Sequence, residues 1–184
     1  QAQNLQSIGF GRSWSVTGLS LLQKSDAMML PKLLMATECN QIKKIAIGSR
    51  SKGILTAIRQ AVESGNLKEL EQIHFHHEEM GDDEGGELEL DYLGTLSNFG
   101  PAFHSLELCR SSETMDISGL AACRNLRNLD LSSCTKVTDM SALGSCSSLH
   151  TLNLNGTQVA DVSALGSCSS LHTLNLNGTQ VADV

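Results

Sequence analysis

The chain has 184 residues, 40% of them hydrophobic but only 3% aromatic, with two prolines, sixteen glycines, six cysteines and a formal net charge of −7. It is long enough to bury a core; charged residues at 18% with ample Leu, Ile and Val exclude wholesale disorder, and no apolar run approaches a membrane-crossing helix. Charge is divided unevenly, with nine Lys/Arg against three acids in residues 1–68 and four against seventeen in residues 69–184, so neither a nucleic-acid nor a membrane partner is expected.

The polar start Gln1-Ala2-Gln3-Asn4 is not a secretory signal, and the absence of an initiating Met suggests a piece of a longer protein. Leu5-x-x-Ile8-x-Phe10 is taken as a first, degenerate strand unit. Ala27–Met35 is expected to be helical, with Pro31 in the first turn where its missing N–H does least harm. Ile42-x-x-Ile45-x-Ile47 and Leu70-x-x-Ile73-x-Phe75 share one frame at a spacing of 28. Between them Ile54, Ile58 and Val62 stand at helical spacing, and Gly65 is a plausible stop. The spacing to the next unit, at Phe103, rises to 33, and Glu78–Glu87 reads as an exposed acidic loop inserted there.

From Phe103 onward the repeat is plain. Ser141–Val162 and Ser163–Val184 are the same 22 letters, SALGSCSSLHTLNLNGTQVADV. Leu120, Cys123, Leu126, Leu129 and Leu131 hold the same frame 23 residues earlier, and Phe103, Leu106 and Leu108 hold it 23 earlier still. Alternation at Leu152 and Leu154 predicts a short strand with both side chains on one face. A unit this small cannot bury its apolar side alone, so neighbours must stack into one continuous core. The expected architecture is α/β: a curved solenoid of six or seven units with a parallel sheet on its concave face. Residues 1–77 form degenerate and longer strand–helix repeats, 78–102 the acidic loop and a transition, and 103–184 the short repeats. Further repeats or a cap are expected after Val184.

The L-x-x-L-x-L frame resembles the leucine-rich repeat family. Cys123-Arg-Asn-Leu126-Arg-Asn-Leu129-Asp-Leu131-Ser-Ser-Cys134-Thr-Lys-Val137-Thr-Asp139 is similar to the cysteine-containing subtype of F-box substrate receptors. The 22-residue copies look more like the short type of internalins and nuclear phosphatase-1 regulators. The tandem LHTLNLNGTQVADVSAL units are most similar to leucine-rich repeat proteins of trypanosomatid parasites, some called adenylate cyclase regulators. Thr157 and Thr179 stand where the family usually has Asn, which implies an altered asparagine ladder. The resemblance implies a protein-binding solenoid, used as a regulator or scaffold. Alternatives are the substrate-receptor part of a ubiquitin ligase, for which Leu30-Pro31-Lys32-Leu33-Leu34 only faintly resembles an F-box start, and a structural spacer array.

Several residue groups have more than one reading. Cys123, Cys146 and Cys168 fill an apolar position of the frame and are expected to be reduced core residues; reduced thiols fit a cytoplasmic or otherwise intracellular location. His74, His76 and His77 beside Glu78 and Glu79 could ligate a metal, but the spacing has no fixed second half, so none is expected. His104, His150 and His172 recur just beside repeat positions and look like ordinary variable residues. Asp139, Asp161 and Asp183 recur once per unit in equivalent surroundings and read as turn residues bonded to backbone N–H groups, not as an acid–base pair. Asn155-Gly-Thr157 and Asn177-Gly-Thr179 match the glycosylation pattern, yet read better as strand ends with a glycine turn. No nucleotide-binding or hydrolase motif occurs, so neither an enzyme nor a cofactor is expected.

Alternation assigns the residues facing away from the core. They are Ser105 and Glu107, then Asn128 and Asp130, then Thr151, Asn153 and Asn155, then Thr173, Asn175 and Asn177. Upstream, Lys44, Gln72 and His74 hold the corresponding places. This polar, mildly acidic face suits a protein partner with a basic or amide-rich surface.

Overall fold

In the repeat frame one side chain points inward between two outward neighbours, which lets successive short strands share a single apolar wall. The computed structural model describes residues 18–21, 42–47, 52–75, 102–108 and 116–182. The strands are β1 (Gly18–Leu21), β2 (Lys44–Ile47), β3 (Gln72–Phe75), β4 (Ser105–Glu107), β5 (Asn128–Asp130), β6 (Thr151–Asn153) and β7 (Thr173–Asn175). They form one parallel sheet in strict chain order. Its register aligns Ile45, Ile73, Leu106, Leu129, Leu152 and Leu174 in one inward row, and pairs Leu19 of β1 with Ile45. From Ile45 to Leu152 this row is buried.

The chain crosses between strands in two ways. The longer unit uses α1 (Lys52–Glu63), which buries Ala57, Ile58 and Ala61 against the core. It ends as the sequence predicts: Gly65 adopts φ +81°, its N–H reaches the Val62 carbonyl, and the Asn66 N–H reaches back to Ala61. The shorter units return through 3₁₀ turns at Ser118–Ala122, Ser141–Ser145 and Ser163–Ser167, each burying one leucine (Leu120, Leu143, Leu165). Asp139 and Asp161 brace these turns, each accepting the N–H of the serine two residues on at 2.8 Å. Asp116 does the same for Ser118 at 2.7 Å. These backbone bonds hold the Asp116 and Asp161 carboxyls below the usual carboxylate range. The turn reading of these aspartates therefore holds for Asp139 and Asp161, while Asp183 lies outside the described residues.

One strand differs from expectation. β1 carries the frame Val16-x-x-Leu19-x-Leu21, which the sequence reading passed over in favour of Leu5–Phe10. Leu5–Phe10, the Ala27–Met35 helix, the Leu30–Leu34 segment and the acidic loop at 78–87 all lie outside the described residues.

Within the core, side-chain ties between the short units run through thiols. Cys146 Sγ donates to the Leu120 carbonyl at 3.3 Å, and Cys168 Sγ to the Leu143 carbonyl at 3.1 Å, each one unit back. Cys134 Sγ donates to Leu108 O at 2.7 Å. Thr157 and Thr179, one and two units on from Cys134, instead turn their hydroxyls to a carbonyl of their own unit, Leu154 and Leu176, at 2.8 Å. The expected alteration of the asparagine ladder thus takes a definite form: a local threonine bond and a cross-unit thiol bond.

The turns after β5, β6 and β7 need left-handed backbone. Ser133, Gly156 and Gly178 occupy the same place in successive units, at φ of 59°, 71° and 66°. A side chain is strained there and glycine is not. Ser133→Gly is therefore expected to raise the unfolding free energy by about 0.5–1 kcal/mol. Urea denaturation would check this, and a loss of stability would show that the serine side chain itself holds the turn.

Candidate functional site

The outward side chains form two rows across the sheet. The first runs Lys44, Gln72, Ser105, Asn128, Thr151, Thr173, and the second Ala46, His74, Glu107, Asp130, Asn153, Asn175. Seven of the nine residues expected to contact a partner stand in these rows: Glu107, Asn128, Asp130, Thr151, Asn153, Thr173 and Asn175. The remaining two, Asn155 and Asn177, lie exposed in the turns just beyond β6 and β7. Ser20 of β1 shares the second row's register, a position missed with its strand.

The two rows are chemically unlike. The second is knitted together: His74 pairs with the Glu107 carboxylate, and Asn153 Nδ2 donates to Asp130 Oδ2 at 3.0 Å. Its members also shape the strand exits. Asp130 accepts the Ser132 N–H at 2.7 Å, and Asn153 and Asn175 accept the N–H of Asn155 and Asn177 at 3.1 Å. Substituting Asn153 or Asn175 would thus disturb the turn as well as the surface. Among the described residues Thr151 and Thr173 make no such backbone bond, so they probe the face more cleanly. His74, considered as a metal ligand with His76 and His77, is engaged with Glu107; His76 and His77 lie outside the described residues.

A further file of residues runs along the edge where the strands begin. Lys43, Glu71, His104, Arg127 and His150 each offer a carbonyl that accepts two N–H groups of the next unit. The Lys43 ammonium meets the Glu71 carboxylate at 2.8 Å. This contact lowers the Glu71 pKa and raises that of Lys43. The carbonyl of Ala102 lies 2.7 Å from His104 Nδ1, which must therefore carry the proton. The rings of His150 and His172 stack with centroids 5.3 Å apart and planes at 11°. These histidines read from sequence as ordinary variable residues that recur just beside repeat positions. The available signal was that each follows the first apolar residue of its frame, as in Leu149-His150 and Leu171-His172.

Comparison with known proteins agrees with this architecture. Residues 147–184 match the family model of leucine-rich repeats. The crystal structure of internalin C2 from Listeria monocytogenes is similar, with a TM-score of 0.55 and 21% identity over 79% of this chain. The match spans 56% of that internalin chain. No curated protein sequence matches. Among the described residues no helix is long and apolar enough to cross a membrane. Sheet, register and matched repeats together make this chain an α/β leucine-rich repeat solenoid.

Proposed function

We propose that the chain is a non-enzymatic protein-binding module, serving as a regulator or scaffold that holds its partner against the open, concave face of the sheet. The observation carrying this reading is the pair of continuous outward rows, which offer an extended polar surface where an enzyme would need a pocket with convergent groups. Glu107, Asn128, Asp130, Thr151, Asn153, Asn155, Thr173, Asn175 and Asn177 are the contact residues. Glu107 and Asp130 make the face mildly acidic, so the partner presents a basic or amide-rich surface and supplies the large anchoring side chains that this face lacks. Buried, reduced thiols at Cys123, Cys134, Cys146 and Cys168 suit a reducing, intracellular setting.

A Thr151→Arg, Thr173→Arg double variant tests the reading. Two bulky cations on the first row are expected to weaken partner capture at least about tenfold. The circular dichroism spectrum should stay unchanged. Equal capture by parent and folded variant would refute the face as the binding site. It would favour a structural spacer, a reading supported by the two identical copies at Ser141–Val162 and Ser163–Val184.

A further inference from the structure

We infer that the strand-entry edge carries a second recognition site, separate from the open face, which takes the carboxylate or phosphate group of an acidic peptide at Arg127. An open cleft of about 240 Å³ lies on this edge, lined by Glu71, Ala102, His104, Asn125, Arg127 and Ser148. Four units contribute to it: β3 follows Glu71, β4 follows His104, and β5 and β6 follow Arg127 and Ser148. The lining therefore exists only when the solenoid is stacked.

Its chemistry is that of an anion site. Glu71, the cleft's carboxylate, is balanced by Lys43 at 2.8 Å. The Arg127 side chain makes no hydrogen bond or ion pair among the described residues, so its planar fork of donors remains available to an oxyanion. Asn125 and Ser148 add neutral donors from adjacent units. The surrounding sequence sharpens the point. After Lys68 the chain has four Lys/Arg against seventeen acids, and three of the four (Arg124, Arg127, Lys136) fall in one unit. In the next two units the positions of Arg124, Asn125 and Arg127 are held by Ser, Ser and His. After Lys68 a single unit thus concentrates the cations of an otherwise acidic stretch, and an acidic ligand is steered to it.

The test is a ¹H–¹⁵N titration of the whole chain, following the Arg127 side-chain Nε–H and the backbone amides of Asn125, His104 and Ser148. Inorganic phosphate and an acetylated tetra-glutamate peptide serve as separate probes, so that phosphate and carboxylate sources are told apart. Saturable shifts of this group with at least one probe are expected. R127Q should weaken the response of the remaining amides about tenfold or more, while R124Q leaves it in place. Identical amide dispersion in both variants shows that folding is intact. Linear, non-saturating shifts, or equal losses in R124Q and R127Q, would reduce the effect to general charge attraction and overturn the site.

Discussion

Leu152→Ala lowers the free energy of unfolding by about 2–5 kcal/mol, whereas Leu174→Ala costs less than half as much. The two leucines hold the same place in identical 22-residue units, so local sequence and propensity are matched. They differ in what lies beside them. Leu152 sits between β5 and β7 and is 0% exposed, while Leu174 has β6 on one side and is 39% exposed. Truncating Leu152 removes buried apolar surface and leaves a cavity between layers. At Leu174 part of that surface already faces water. Urea denaturation of both variants measures the difference, which is the contribution of stacking a neighbour onto an unchanged unit. Equal losses would show that each unit is stabilised from within and not by its neighbours.

Raising the pH from 9 towards 11 is expected to remove several kcal/mol of stability through Cys123 and Cys146. Burial pushes the Cys123 thiol from 9.0 up to about 12, with the neighbouring Cys146 adding to the shift. The Cys146 thiol is pushed up to about 11, again mainly by burial and then by Cys168. The unfolded chain gives up these protons near the ordinary value, while the folded chain keeps them to higher pH. Above pH 9 the folded state therefore binds more protons than the unfolded state, and stability falls as pH rises. Each thiol contributes a slope on the order of 1 kcal/mol per pH unit, full stability being present below pH 9. A Cys123→Ala, Cys146→Ala double variant should be less stable at pH 8 but lose less between pH 9 and 11. Parallel pH profiles for parent and variant would refute the argument. The same burial predicts that thiol reagents modify these cysteines only as the solenoid opens.

How much of this was readable from the letters follows from which interactions are local. The L-x-x-L-x-L frame predicts strand, inward row and stacking together, because a period of two and a spacing of 22 or 23 put the leucines of successive units on one side, where only stacking buries them. Gly65 and the recurrent Asp139 and Asp161 were equally readable, since caps and turns are made within a few residues. β1 was missed because Val16, Leu19 and Leu21 follow a frame without the spacing that marks the short units, and Leu5–Phe10 fits the same frame. The file from Lys43 to His172 was missed for another reason. Its members differ in charge and type, and only the register places them side by side. The double duty of Asn153 and Asn175, surface residue and turn brace, was hidden likewise: alternation gives the direction of a side chain, not the hydrogen bond it makes.

Exact duplication of the last two units has a consequence for how the chain reaches its folded state. β5 and its layer accept Ser141–Val162, but Ser163–Val184 has the same letters and would dock in the same place equally well. In that competing arrangement the first copy is looped out and one interface is forfeited, while every contact with the layer of β5 is preserved. Closing a loop of this length adds only a modest entropic cost. Within residues 141–184 the native order is thus selected by the interface between the two copies, β6 against β7, and not by any difference in side chains. Interchangeable segments of this kind divide a refolding population between a productive route and a slip of one whole unit, a degeneracy that the diverged units upstream do not share.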